Sequence, residues 1–365
     1  MIPVYQPYFN GREKEYVNQC LDSTWISSKG EFIGRFESAF AKYVGAPGGA
    51  TSVCNGTVAI HLALAALGIG PGDEVIVPTF TYIASVNTII QTGATPVFVD
   101  SLQATWQVDP EDIRRKITPN TKAVMAVHLY GQSCDMDPIL QICEENNLFL
   151  VEDCAEAFGS YYKGRHVGSF GDVATFSFFG NKTITTGEGG MVVTKDAAVL
   201  AKAFHLKNQG VSSSREYWHD IVAYNYRMTN ICAAIGLAQL EQADVILEKK
   251  RQIALWYAEA LQGLPLDVHR EEPGTTHSFW MCSILVNNAS HRDGLRQHLR
   301  EHGVETRPVF YPAHTMPHCL TKGVFPVAEY LGARGVNLPS YPALTQGEIQ
   351  RIAQYIQSFF GAVVQ

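Results

Sequence analysis

Lys182 lies between two strand-like runs, residues 173–179 and 191–194, in a loop that reads Asn181-Lys182-Thr183-Ile184-Thr185-Thr186-Gly187-Glu188-Gly189-Gly190. The first run is apolar and aromatic, and the glycines supply a turn into the second. Held there and partly desolvated, a lysine is pushed toward the neutral, nucleophilic amine that Schiff-base chemistry requires. A solvated lysine at a hairpin tip is the competing reading of these residues alone. A second candidate, Asp153, follows the apolar run 148–151. A carboxylate at the end of a buried strand calls for a cation, either an arginine or a protonated ring nitrogen. The plainer alternative is the N-cap of a helix that follows. A third candidate is Asn55-Gly56-Thr57, ahead of the helical run 58–67. Gly56 would let a phosphate approach a helix N-terminus closely, with Thr57 near the cap, although the same tripeptide also serves as an ordinary turn.

The elements that must position these groups are legible in the apolar pattern. Residues 12–21 read as a short helix, followed by the hydroxyl-rich loop 23–30. The run 58–67 is apolar nearly all round and stops at Gly68, which predicts a buried helix. From Pro71 onward, short runs at 74–77, 95–100, 123–127 and 148–151 alternate with helical segments. Each run is continuously apolar, as strands covered on both faces are, and together they predict an α/β fold with a mostly parallel sheet. Ligands gather beyond the carboxyl ends of such strands. The segments there are Pro78-Thr79-Phe80-Thr81-Tyr82, His128-Leu129-Tyr130-Gly131-Gln132 and Glu152-Asp153-Cys154-Ala155-Glu156. They are expected to bring an aromatic ring, an imidazole and a carboxylate to one edge.

A small-residue helix at 231–240 and a long amphipathic helix at 241–263 suggest a bridge into a second domain, with the boundary near residue 240. A strand at 283–286, a helix at 292–302, a loop at 306–314 and a closing helix at 345–360 are expected after it. With 365 residues, 46% of them apolar and 17% charged, the chain can bury two cores. The formal net charge of -7 argues against nucleic-acid or acidic-membrane surfaces. Eight cysteines show no metal-ligand spacing and are expected to be reduced. The N-terminal residues show neither a basic leader nor an apolar core of signal length, and no apolar run approaches about 18 residues, so neither a leader nor a membrane span is expected, and the cytoplasm is the expected compartment.

A lysine amine, a carboxylate, a stackable ring and a phosphate-suited helix start match the needs of pyridoxal 5'-phosphate. The stretches 176–190 and 151–157, with Asn55-Gly56-Thr57, His128-Leu129-Tyr130-Gly131 and Asn225-Tyr226-Arg227-Met228, resemble the DegT/DnrJ/EryC1/StrS sugar aminotransferases across nearly the whole chain. That resemblance implies an aspartate-aminotransferase-like (fold type I) α/β enzyme, with a large PLP-binding domain at 1–240 and a smaller C-terminal α+β domain at 241–365. It implies Lys182 as the Schiff-base lysine and Asp153 as the partner of the pyridine nitrogen. Tyr82 would stack on the ring, and Gly56, Thr57 and Ser177 would hold the phosphate. Asn225 would reach that phosphate from the other subunit of an obligate homodimer. Glu156 stands where a histidine or glutamine often packs on the ring, which leaves its role as contact or spacer open. Glutamate is the implied amino donor, and a GDP-4-keto-6-deoxy sugar, aminated at C4 for a surface polysaccharide, the implied acceptor. A UDP- or dTDP-4-keto-6-deoxyhexose is the alternative acceptor. A PLP-dependent sugar dehydratase is the alternative enzyme, although such relatives carry histidine where Lys182 stands. Ser27, Lys29, Arg215, Tyr311 and His314 are candidates for sugar-nucleotide contacts, each equally readable as an ordinary loop or surface residue.

Overall fold

The computed structural model describes residues 1–321 and 323–363. In chain order the strands are β1 (Gly49–Val53), β2 (Glu74–Pro78), β3 (Thr95–Val99), β4 (Thr121–Val127), β5 (Phe149–Asp153), β6 (Tyr161–Tyr162), β7 (Arg165–His166), β8 (Val173–Ser177), β9 (Gly190–Thr194), β10 (Leu266–Val268), β11 (Thr275–Thr276), β12 (Cys282–Val286), β13 (Arg307–Pro308) and β14 (Gly335–Leu338). The main sheet runs β1-β9-β8-β5-β4-β2-β3. Only β9 opposes the others, pairing antiparallel with both β1 and β8. The expected mostly parallel α/β sheet is therefore present, with one reversed strand created by the connection that carries Lys182.

Alternation along the strands divides the core into two faces. Val75 and Val77 of β2, with Met125 of β4 and Val151 of β5, join one buried cluster. Ile76, Val124 and Leu150 join another on the opposite face. Toward the β8 end that second role passes to an aromatic group in which Phe40 meets Phe176 at 4.9 Å and Phe178 at 5.4 Å between ring centroids. With Phe176 and Phe178 committed to that core, Ser177 between them turns to the other side.

Helix Gly56–Leu67 is buried over most of its circumference, as its composition predicts, and ends at Gly68 with φ 82°, a left-handed position suited to glycine. Its cap, however, is Asn55 and not Thr57: the Asn55 side chain accepts the Val58 N–H. No helix follows Asp153; residues 154–160 form turns.

The C-terminal sheet, β10-β12-β14-β13, packs with helices His291–Glu301 and Gln346–Val363 around its own apolar cluster. Helix Ala243–Ala260 belongs to both halves. Ala243, Ile246 and Leu247 pack with the aromatic cluster, while Ile253, Ala254 and Tyr257 pack with the C-terminal one. Trp280, Met281 and Val309 then return to the core of the main sheet.

Candidate active site

The parallel strands deliver their following residues to one edge, and a cavity of about 720 Å³ opens there. Asn55, Gly56 and Thr57 arrive after β1, Thr81 and Tyr82 after β2, Asp153 and Glu156 from the end of β5, Ser177 at the end of β8 and Lys182 after it. Residues far apart in sequence converge because parallel strands end on the same side.

Lys182 is not a solvated hairpin tip. Its side chain is 13% exposed, and Nζ lies 4.0 Å from Glu156 Oε1 and 4.0 Å from the centroid of the Trp280 ring. Burial lowers its pKa, and the carboxylates of Glu156 and Asp153 oppose that only in part. Burial likewise drives the Glu156 carboxyl up, to about 7. Glu156 is fixed by the N–H of Tyr130, which reaches Oε2 at 2.9 Å. Tyr130 achieves this in the left-handed region, at φ 58° and ψ 8°, a strained conformation for a tyrosine. Its ring is held by stacking between Trp280 and Phe310.

Asp153 is 4% exposed. Oδ2 accepts the Ser85 hydroxyl at 2.7 Å and Oδ1 the Ala155 N–H at 3.1 Å. Among the described residues no lysine, arginine or histidine makes an ion pair with it, and burial raises its pKa. A buried carboxylate with two neutral donors and one side on a cavity fits a cationic ligand atom. Asn181 Oδ1, buried and without a hydrogen-bond partner, lines the same cavity. At the other end Gly56 packs against Ser177 so closely that a Cβ there would stand 2.6 Å from the serine Cβ. That contact keeps the first turn of helix Gly56–Leu67 bare beside a hydroxyl, the arrangement a phosphate needs. Tyr82, 56% exposed, supplies a ring at the rim near Phe310. These groups match pyridoxal 5'-phosphate in type and placement.

Other sequence expectations meet a different outcome. His128 is buried away from the cavity, its Nδ1 accepting the Cys134 N–H and its Nε2 facing Glu152. His314 does not line the Lys182 cavity of its own chain. Its ring is 5% exposed, with Nδ1 2.7 Å from Thr79 Oγ1 and Nε2 3.3 Å from Glu329, so both nitrogens brace protein groups. Ser27 and Lys29 line a separate shallow depression, and the Arg215 guanidinium stacks over Trp218 at 4.1 Å. Tyr311 is half exposed near Arg292, and Asn225 accepts from the Arg227 guanidinium. None of these four residues beyond Ser27, nor Ser27 itself, lines the Lys182 cavity of its own chain. Conversely, Ser85, Asn181, Trp280 and Phe310 do line it and escaped sequence reading. Ser85 carried a faint signal, one turn beyond Tyr82; Trp280 and Phe310 carried none.

A fold type I sheet with a desolvated lysine and an uncompensated carboxylate at its C-terminal edge defines a pyridoxal-phosphate-dependent transferase. The chain belongs to the DegT/DnrJ/EryC1/StrS aminotransferase family, whose sequence model matches residues 7–357. It is 59% identical to GDP-perosamine synthase of Escherichia coli O157:H7, over 98% of each chain. It is 54% identical to GDP-perosamine synthase of Vibrio cholerae over 100% of both. The aminotransferase TlmJ from Streptoalloteichus hindustanus superposes over 100% of both chains with a TM-score of 0.95 at 30% identity. The family's cofactor is pyridoxal phosphate, and a similar structure from Streptococcus pneumoniae, with a TM-score of 0.94, 28% identity and 100% of each chain covered, is a PLP form.

Proposed function

We propose that this enzyme transfers the amino group of glutamate to C4 of GDP-4-keto-6-deoxy-D-mannose, giving GDP-perosamine for a surface polysaccharide such as an O-antigen. The carrying observation is the Asp153 carboxylate, buried beside the Lys182 cavity and, among the described residues, in no ion pair with a lysine, arginine or histidine. The near-full-length similarity to two GDP-perosamine synthases supports the choice of sugar. Pyridoxal phosphate, when bound, supplies the electron sink that makes the Cα proton of glutamate removable.

The remaining chemistry is assigned to the chain. Asp153 holds the ring-nitrogen proton. Gly56, Thr57 and Ser177 anchor the phosphate, and Tyr82 covers the ring. Lys182 Nζ takes the Cα proton from glutamate and later delivers a proton to C4 of the sugar. For that it must be neutral part of the time, which its burial favours. Glu156, 4.0 Å away with a raised pKa, holds the amine within the cavity without fully fixing its charge. The reaction has two half-reactions and should show ping-pong kinetics.

The reading further includes a large domain at 1–240, a small one at 241–365 and a homodimer. Absence of Asn225 from its own chain's cavity suits a contribution to the partner's phosphate site. Ser27, Lys29, Arg215 and Tyr311 remain candidates for the sugar nucleotide across that interface. Eight free thiols suit a reducing, cytoplasmic compartment, and no helix of the described residues is long and apolar enough to cross a membrane. The test supplies glutamate with a panel of GDP-, UDP- and dTDP-4-keto sugars and follows 2-oxoglutarate. Turnover of the GDP sugar is expected. Turnover confined to UDP or dTDP sugars overturns the substrate, and sedimentation of an active monomer overturns the role of Asn225.

A further inference from the structure

Lys182 is gripped by side chains from outside the strand pair that carries it. The indole N–H of Trp280 donates to the Asn181 carbonyl at 2.7 Å, and the Tyr5 hydroxyl donates to the Lys182 carbonyl at 2.5 Å. The peptide groups on both sides of the lysine Cα are therefore tied. The Trp280 ring also lies against the amine, 4.0 Å from Nζ to centroid.

Behind Trp280 and Tyr5 is a second buried lysine. Lys250, on helix Ala243–Ala260, is 0% exposed. Its ammonium donates to the Trp280 carbonyl at 2.9 Å, to the Ser340 carbonyl and to the Ser340 hydroxyl at 3.3 Å. It also lies 5.3 Å from the Tyr5 ring centroid. Three donors thus meet three oxygens, while among the described residues no carboxylate pairs with it. A buried ammonium without a counter-ion is costly, and an apolar side chain of similar length would fill the space at lower cost. What the cation supplies is a fixed junction between the residues entering β12 and those leaving β14, and that junction sets where Trp280 stands.

We propose that Trp280 is a positioning residue for Lys182, and that the buried Lys250, with Tyr5, is the clamp that holds it in place. The indole face receives the lysine in its ammonium form. The two carbonyl tethers fix the point from which the amine swings. This rests on Lys182 being the cofactor lysine, and it adds the device that keeps the released amine beside the reacting atoms.

The test compares full-length Trp280→Leu, Trp280→Phe, Tyr5→Phe and Lys250→Met with the parent, loaded with cofactor and after its removal; Glu156 and Asp153, which face the same amine, are kept. In the loaded protein, kcat should fall roughly 10–100-fold in Trp280→Leu and Lys250→Met, with KM for glutamate little changed. In the cofactor-free protein, competitive acetylation of Lys182 is read across pH by mass spectrometry of its peptide. Its midpoint should move down by about half a pH unit in Trp280→Leu as the π face is lost, and by less in Trp280→Phe. A folded Trp280→Leu protein with parental kcat and a parental labelling curve overturns the proposal. Should Lys250→Met fail to fold, Trp280→Leu and Tyr5→Phe decide it. Borohydride reduction of the loaded protein and peptide mapping separate the two readings. Cofactor on Lys182 with parental kcat and an unmoved labelling curve overturns the clamp alone, and cofactor on another lysine overturns the underlying assignment.

Discussion

Glu152 and Asp153 end the same strand one residue apart, are 0% and 4% exposed, and are used in opposite ways. Alternation sends them to opposite faces of the sheet. On its face Glu152 accepts four hydrogen bonds: from the N–H groups of Phe170 at 2.8 Å, Gly171 at 2.7 Å and Gly168 at 2.7 Å, and from His128 at 3.1 Å. Because His128 Nδ1 accepts the Cys134 N–H, its proton is on Nε2 and points to the carboxylate. Cys154 lies near this pair, but the carboxylate oxygens already have their donors, and the cluster is a closed network that pins the 168–171 loop under the sheet. Asp153 has two neutral donors and then the cavity. A buried carboxylate whose acceptors are filled is architecture; one left short of donors beside a cavity is a site.

The contrast breaks most visibly at the amine that faces Asp153. Lys182→Ala should lose the visible absorption band of the bound cofactor and lower turnover by at least about 10⁴-fold, while circular dichroism stays parental. A colourless, fully active parent, or a coloured, active variant, would end the assignment. Next in size, Asp153→Asn should lower kcat by roughly 10²–10⁴-fold with no loss of melting temperature in the cofactor-free protein, since it removes an uncompensated buried charge. Glu152→Gln should do the reverse. An amide offers an N–H₂ where the loop also donates, so about 3 kcal/mol of stability is lost in denaturant titration, while activity per folded molecule is retained. If Asp153→Asn melts early and Glu152→Gln loses turnover instead, the division of labour is wrong.

The smallest effect sharpens the pair through pH. Burial tends to raise the Glu152 carboxyl, but His128 and the loop amides outweigh it and hold the group below the usual carboxylate range. Its contribution is therefore present above that range and lost as pH falls through the depressed value. Burial wins at Asp153 and raises it. The folded chain then binds that proton more readily than the unfolded one, so the penalty of Asp153 is present at neutral pH and relieved in acid. Melting curves of the cofactor-free proteins should show the deficit of Glu152→Gln shrinking toward acid pH. The advantage of Asp153→Asn should shrink in the same direction. Gaps that widen in acid would contradict both signs.

Much of this organisation is written locally. The continuous apolar runs at β2, β4 and β5, the buried helix stopping at Gly68 and the lysine loop between β8 and β9 follow from periodicity and punctuation, which act over a few residues. So does the alternation that separates Ser177 from Phe176 and Phe178. Trp280, Phe310 and Tyr5 could not be read this way, because their place near Lys182 depends on how the C-terminal half and the N-terminal segment fold back onto the main sheet. His128 misled for the same reason: its position after a strand was right for a site, but the Glu152 network on the other face claimed its ring.

Local pattern is enough for the class of sheet, the strand ends where chemistry collects and the types of group available there. Which groups share a cavity and which are consumed as supports depends on packing between distant segments. Burial and hydrogen-bond satisfaction are sums over neighbours distant along the chain. Thus Glu152 and Asp153, nearly interchangeable as letters, separate only when the 168–171 loop closes over one and a cavity is left beside the other.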